Sequence, residues 1–382
     1  METQPTFKYN FFFKKNKNLY FRYFIICFLI ICSLIILVLN EFLIKYNNNL
    51  SKVQSKILNL EIEILKLKDS KNNINKLNKD IIDTIFNEKV NLYYIQNQKK
   101  FCEKKNIFYN KEYENQIKIT KVIYNNLNYN MYIYRTNDAV SDTISKANKW
   151  ETFETKNILD ALNYYSIKNN IKKTDIYIID IGANIGWYTF ILAKYGYRIL
   201  SFEPSKENYY ILLKNYCLNK NLKITLINKG IFTEEKNCYL YSNKVNFGNG
   251  ILKCDENIDI TNVNFHGEII LTKLSNYIPF LSNKKLAFIK IDIEGAEGKA
   301  IDSGIDLITK YHIPFIFIEF TPSALQLYGT NPKKFLQIFI NNGYKISLKS
   351  FLSNKYSSPE EILAKVANQA NIYIIYTKIL NQ

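Results

Sequence analysis

Histidine is almost missing, with two in 382 residues, which excludes a His-rich metal centre. Six cysteines are present but none form a C-x-x-C pair, so a zinc-binding framework is excluded too. Acidic residues number 34 against 51 Lys and Arg, a net charge of +17. No stretch concentrates that excess: it is +4 over residues 1–22, +5 over 41–120, +1 over 121–170 and +7 over 171–382. Asn, Ile, Lys and Tyr are over-used together, as in an AT-rich coding source, so the charge gives little support to a nucleic-acid partner. What remains is an ordinary apolar content of 47%, enough to exclude wholesale disorder. The length suits one large domain with added architecture, or two modest domains.

Residues 1–22 form a basic, aromatic tail, with Lys14, Lys15, Lys17 and Arg22 beside Phe11, Phe12, Phe13, Tyr20 and Phe21. Residues 23–39 follow without a charge, at the short end of the roughly 17–25 residues that span a bilayer as a helix. The flanking aromatics suit the membrane interface. A cleaved signal peptide would need a small-x-small site after its apolar core, and here Asn40-Glu41-Phe42 follows. A buried globular helix would rarely lack polar positions on every face. An uncleaved single-pass anchor is expected.

Over 50–85 the spacing alternates between three and four: Leu50, Val53, Ile57, Leu60, Ile64, Leu67, Ile74, Ile81 and Ile85, with Lys71 and Asn78 inward. Such a repeat predicts a coiled-coil stalk that brings copies of the chain together. The alternative is one amphipathic helix packed on its own domain. Residues 86–120, rich in Lys, Asn and Tyr and without a period, are expected to be a linker into a folded domain over 121–382.

That domain alternates strand-like and helix-like runs. Ile176–Ile181 predicts a buried strand ending in an acid, and Gly182-Ala183-Asn184-Ile185-Gly186 follows before a helical run from Trp187. Arg198–Phe202 is a second strand, closed by Glu203-Pro204 and a helix-capping Ser205. Further β-rich runs are Leu222–Ile227, Leu286–Ile291, Ile313–Ile318, Tyr344–Leu348 and Asn371–Tyr376. The alternation predicts an α/β, Rossmann-like fold with a doubly wound, mainly parallel sheet. Ligands bind at the carboxyl ends of such strands. A glycine-rich turn admits a ligand close to backbone, and the next helix offers amides to an anion. Glu203, at the end of the second strand, has the place and chemistry to accept both hydroxyls of a ribose. The loop reads D-x-G-x-N-x-G, not the dinucleotide G-x-G-x-x-G, which argues against nicotinamide and flavin cofactors.

Asp180-Ile181-Gly182-Ala183-Asn184-Ile185-Gly186-Trp187-Tyr188-Thr189 resembles the first motif of the FkbM family of S-adenosylmethionine-dependent O-methyltransferases. Phe202-Glu203-Pro204-Ser205 is similar to the second motif, Phe288–Glu297 to the fourth-strand signature and Ile318-Glu319 to the fifth-strand end. Asn137–Ser141 and Trp150-Glu151 are similar to the segment that leads into the family's fold. One departure is Leu274-Ser275, where the family commonly has Leu-Asp.

The resemblance implies a class I methyltransferase domain and S-adenosyl-L-methionine as cofactor. Gly182, Asn184 and Gly186 would line its methionine part, with Asp180 fixing the loop or meeting the amino group. Glu203 would hold the ribose, and Asn228 is a candidate for the adenine edge. A hydroxyl acceptor must lose a proton. Asp292, Glu294 and His266 are the candidate bases, Asp292 first because it ends a strand at the active edge. The two carboxylates could instead bind a divalent ion, though no metal is expected. Glu297 has a plainer reading as a solvated first-turn acid, His266 as a surface histidine, and Asn246–Gly250 as a turn. Cys102, Cys217, Cys238 and Cys254 look scattered, with a Cys238–Cys254 bridge conceivable on a lumenal side.

The expected activity is methylation of a hydroxyl, most plausibly of a glycan or glycolipid. RNA or protein methylation and an inactive scaffold are the competing readings. Sidedness pulls two ways. Five Lys or Arg precede the anchor and three follow within twenty residues, placing the domain outside the cytosol. The charged cofactor is expected on the cytosolic side, and among fifty asparagines only Asn49-Leu50-Ser51 is a glycosylation sequon.

Overall fold

The computed structural model describes residues 93–103, 111–243, 246–254, 263–281 and 284–379. The tail, the anchor over 23–39 and the stalk over 50–85 lie outside the described residues. No described helix is long and apolar enough to cross a membrane. All described residues belong to one compact unit, Lys76–Gln382.

The segment expected as a linker carries helix α1 over residues 93–103 and helix α2, Lys111–Gln116. The domain therefore starts upstream of 121. The reason lies in single side chains, not in periodicity. Gln98 is wholly buried, and its side-chain amide donates to the Ile224 carbonyl (3.2 Å) and accepts from the Leu226 amide (3.0 Å). One glutamine thus satisfies part of an otherwise open sheet edge. Cys102 bonds to Cys217, fixing α1 covalently. A hairpin follows, β1 (Ile117–Tyr124) against β2 (Leu127–Tyr134), turned by Asn125 at φ 50°.

The central sheet has seven strands. Five run parallel: β3 (Ile176–Ile181), β4 (Arg198–Phe202), β5 (Ile224–Ile227), β10 (Lys285–Ile291) and β11 (Phe315–Phe320). Beyond them β13 (Ala370–Tyr376) runs antiparallel to both its neighbours, so β12 (Tyr344–Ser347) points the same way as the five, and the order is β12-β13-β11-β10-β3-β4-β5. The α/β, Rossmann-like expectation holds. The parallel strands are mainly apolar because both faces are covered. On β3, Ile176 and Ile178 join a core with helices α4 (Thr152–Lys168), α5 (Trp187–Lys194) and α6 (Lys206–Leu218). Ile179 and Ile181 join the opposite core with α7 (Glu297–Ser303) and the helix Pro332–Asn341. Helix α3 (Ala139–Ala147) precedes α4 and is capped by Asp138, whose carboxylate accepts the Ser141 amide at 2.7 Å.

A second sheet was not read from the sequence. Strands β6 (Gly230–Ile231), β7 (Asn237–Asn243), β8 (Asn246–Lys253) and β9 (Val263–Thr272) pair in the order β6-β9-β7-β8. Asn246–Gly250, expected as a turn, runs along β8 instead. The scattered cysteines are two bridges, Cys102–Cys217 and Cys238–Cys254.

Candidate functional site

Parallel register assembles the site. Asp180 on β3 lies opposite Lys290 on β10 and Ser201 on β4, and Ile181 lies opposite Ile291 and Phe202. One step beyond, the chain leaves each strand at Gly182, Glu203 and Asp292, all on one edge of the sheet. Asp180 is wholly buried. One carboxylate oxygen accepts the Thr189 hydroxyl at 2.6 Å, and the other lies 3.9 Å from the Lys290 ammonium. Lys290 also donates to the Gly182 carbonyl (2.9 Å) and pairs with Asp292 (3.0 Å). Burial alone would lower the Lys290 pKa, but Asp292 and Asp180 reverse that and raise it.

Glu203 faces the loop between β3 and α5. Its carboxylate accepts the amides of Asn184 (2.8 Å) and Ser205 (2.9 Å), with the Asn208 side-chain amide at 3.5 Å. Three donors leave acceptor capacity on a carboxylate, which offers about four lone-pair positions. Burial pushes the carboxyl up to about 7 against the pull of those donors. Asn184 is held at φ 51°, and its side-chain oxygen is buried with no protein partner. A ligand donor would satisfy it.

The far wall is acidic. Asp292, Glu294 and Glu319 bring carboxylate oxygens within 4.8 Å of one another. That spacing would suit a divalent ion, but Lys290 already sets an ammonium beside Asp292. Burial, then Asp292 and Glu297, lifts Glu294 to about 7, and burial with Asp292 and Glu294 lifts Glu319 to about 9. Glu294 sits at φ 57°, a strained backbone for a residue other than glycine. Glu297 holds it there. Glu297 is 1% exposed, not solvated as expected, and accepts the amides of Ile293 (3.0 Å) and Gly295 (3.1 Å). Glu151, at φ 37°, does not cap α4 with its side chain and accepts the Tyr188 hydroxyl at 2.5 Å instead.

These groups border a cavity of about 280 Å³. Gly182, Asn184, Glu203, Asp292 and Glu294 line it. Asp180 and Gly186 do not. Asp180 works from below the loop, while Gly186, at φ 99°, begins α5 where a Cβ would meet Phe190 and Leu212 at 2.7 Å. Asn228 is turned away as well, its amide donating to the carbonyls of Glu203 (2.8 Å) and Pro204 (3.1 Å). His266 lies in β9, its Nε2 2.7 Å from the Ser242 hydroxyl, and burial lowers its pKa. Glu151, Tyr188, Lys290, Glu319 and Gln369 line the cavity and had been given no role. Lys290 was legible as the one charge inside an apolar strand. Glu151 stands in a segment similar to the family's lead-in, but its place in the site comes from the packing that sets it against Tyr188.

Residues 180–346 match the methyltransferase FkbM domain. Among solved structures, the bifunctional kinase-methyltransferase WbdD is 10% identical over 62% of this chain and 42% of that one, with a TM-score of 0.37. Magnesium protoporphyrin IX methyltransferase (ChlM) from Synechocystis PCC 6803 is 9% identical over 62% of this chain and 83% of its own, with a TM-score of 0.32. A curated relative, the DNA-directed RNA polymerase subunit beta'' of Plasmodium falciparum (isolate 3D7), is 28% identical over 277 residues. That match takes in 66% of this chain, which spans only 27% of the subunit.

Proposed function

We propose, from the premise that this chain carries a methyltransferase FkbM domain over residues 180–346, that it is an S-adenosylmethionine-dependent O-methyltransferase tethered to a membrane. Its acceptor is a hydroxyl of a glycan or glycolipid. Residues 23–39 anchor it and the 50–85 coiled coil assembles it into a homo-oligomer.

The observation that carries this reading is Glu203, held with its carboxylate on the Asn184 amide at the mouth of the strand edge. Gly182, Asn184 and Glu203 fit the cofactor: a close backbone loop, an unpartnered side-chain oxygen, and a carboxylate with acceptor capacity. The cofactor supplies a methyl group already activated on a sulfonium. The chain's own residues orient the acceptor and take its proton. Asp292, fixed by Lys290, is the proposed base, with Glu294 beside it. Glu319, raised by burial and by Asp292 and Glu294, is the acid of this wall most easily protonated and is the proposed hydrogen-bond donor to the acceptor. The acids around Lys290, namely Asp180, Asp292, Glu151 and Glu294, suit a cationic cofactor and a neutral, hydroxyl-rich acceptor. The same wall repels a polyphosphate, which disfavours RNA.

Calorimetric titration of the full-length chain with S-adenosylmethionine tests the reading, with Glu203→Ala alongside. Micromolar affinity that the substitution greatly weakens is expected. No heat from the folded wild-type chain would shift the assignment to an inactive scaffold. A fragment beginning at 121 is unsuitable, because it loses Gln98 and Cys102.

A further inference from the structure

From the pairing of its cysteines and the charges around residues 23–39, we infer that the catalytic domain folds in an oxidising compartment, on the far side of the membrane from its N-terminus.

The sequence holds six cysteines, two of them, Cys27 and Cys32, inside the apolar run. The other four form two bridges in different parts of the fold. Cys102–Cys217 spans 115 residues and joins α1 to the last turn of α6. Cys238–Cys254 spans 16 and ties β7 to the residue after β8. The first bridge joins two helices and the second adjoins two strands of the second sheet, so one does not follow from the other. Cytosolic thiols are kept reduced, and stable structural bridges belong to oxidising compartments.

The first bridge also has a mechanical task. Beside it, the Gln98 amide pair holds α1 to the β5 edge and aromatic contact of Phe101 with Tyr210 at 5.7 Å holds it to α6. Closing a 115-residue loop restricts the unfolded chain strongly. The N-terminal lysines supply an independent argument for the same sidedness, with five basic residues before the apolar run and three within twenty after it.

The consequence for chemistry rests on the methyltransferase reading, though the sidedness does not. Transfer breaks the sulfonium–methyl bond, forms an oxygen–methyl bond and leaves the acceptor's proton on a carboxylate. The charged methyl donor does not cross a bilayer unaided. Carrier-mediated entry of the donor, with removal of the demethylated product, must therefore supply this reaction. Acceptors are hydroxyls exposed in that compartment.

The test uses the full chain expressed in eukaryotic cells. Free thiols are blocked with N-ethylmaleimide at lysis, and the chain is then denatured and treated with a polyethylene-glycol maleimide with and without reduction. Four added chains only after reduction, with the domain protected from protease in sealed microsomes, is the expected result. Cys238→Ser and Cys102→Ser should each remove one bridge and free its partner for blocking, lowering the count after reduction from four to two. Blocking of all four without reduction, or digestion of the domain in sealed microsomes, overturns the inference. Cofactor titration of the same purified chain is read separately: absent binding with four bridged cysteines removes the methyltransferase reading and leaves the sidedness standing.

Discussion

The carboxylate of Glu203 accepts the backbone amide of Asn184 at 2.8 Å, so the end of β4 holds the turn that leaves β3. One side chain thereby shapes the loop and faces the cavity beyond it. Loop geometry and ligand recognition are coupled through that carboxylate.

Replacement of Glu203 by Gln puts an amide NH2 against either the Asn184 or the Ser205 amide. One buried donor loses its acceptor, at a cost of about 1–3 kcal/mol. Affinity for S-adenosylmethionine should fall about ten- to a hundredfold, by the same order of energy, measured by calorimetry. Unchanged affinity would remove Glu203 from the cofactor site.

The affinity should also depend on pH. Ribose hydroxyls donate, so the ionised carboxylate is the binding form. With Glu203 pushed up to about 7, its ionised fraction rises about tenfold between pH 6 and pH 8. The association constant should rise about as much over that window. Glu203→Ala should flatten the profile. A flat wild-type profile would sink the proposed role.

Stability of the ligand-free domain should run the other way. Glu203, Glu294 and Glu297 are each lifted to about 7 by burial, and Glu319 to about 9. The unfolded chain titrates these groups near 4.3, so between that value and 7–9 the folded state binds more protons. Stability therefore falls as pH rises through this range. Glu114 has the opposite sign: its pKa is lowered, against burial, by hydrogen bonds from Lys214 and Tyr210, so its contribution is lost in acid. A melting temperature higher at pH 5.5 than at pH 8 is expected in a fluorescence melt. An equal or lower one would show that the acid wall is solvated.

These acids show where the sequence was readable. β3, β4 and β10 were legible because both faces are buried, which leaves mainly apolar runs such as Ile176–Ile179. Gly182, Glu203 and Asp292 followed as the residues just past those strands. The α1 helix was illegible because it is held by Gln98 and Cys102, long-range partners that leave no local period. β7–β9 were missed because antiparallel pairing there joins runs interrupted by Asn and Gly, with little alternation. Glu151 reaches the site through a contact with Tyr188, 37 positions away.

Gly182 offers a test of packing against recognition. It sits at φ 79°, and a Cβ there would lie 1.9 Å from the Asp292 carbonyl oxygen. That neighbour is backbone of β10's exit and cannot swing aside. Gly182→Ala should cost on the order of 4 kcal/mol or more, through strain and displacement of that loop. Denaturant unfolding would register it even without cofactor. A variant as stable as wild type would mean that the two loops are free to part.

Lys290 and Asp292 should differ in what their loss affects. Lys290 is 4% exposed and neutralises both Asp180 and Asp292. Lys290→Met leaves two acids facing each other in a buried edge, and breaking such a pairing costs about 3–5 kcal/mol. Asp292→Asn is milder, because the ammonium keeps Asp180 and the Gly182 carbonyl while Asp292 itself is partly exposed. If Asp292 takes the acceptor's proton, its replacement should cut methyl transfer about 10²–10⁴-fold. Cofactor affinity should stay within a few-fold, since Asp292 lies on the wall away from Asn184 and Glu203. Unfolding curves and cofactor titrations on both variants separate the two roles. An Asp292→Asn variant that loses stability as heavily as Lys290→Met would make the aspartate a structural counter-ion and move the base to Glu294.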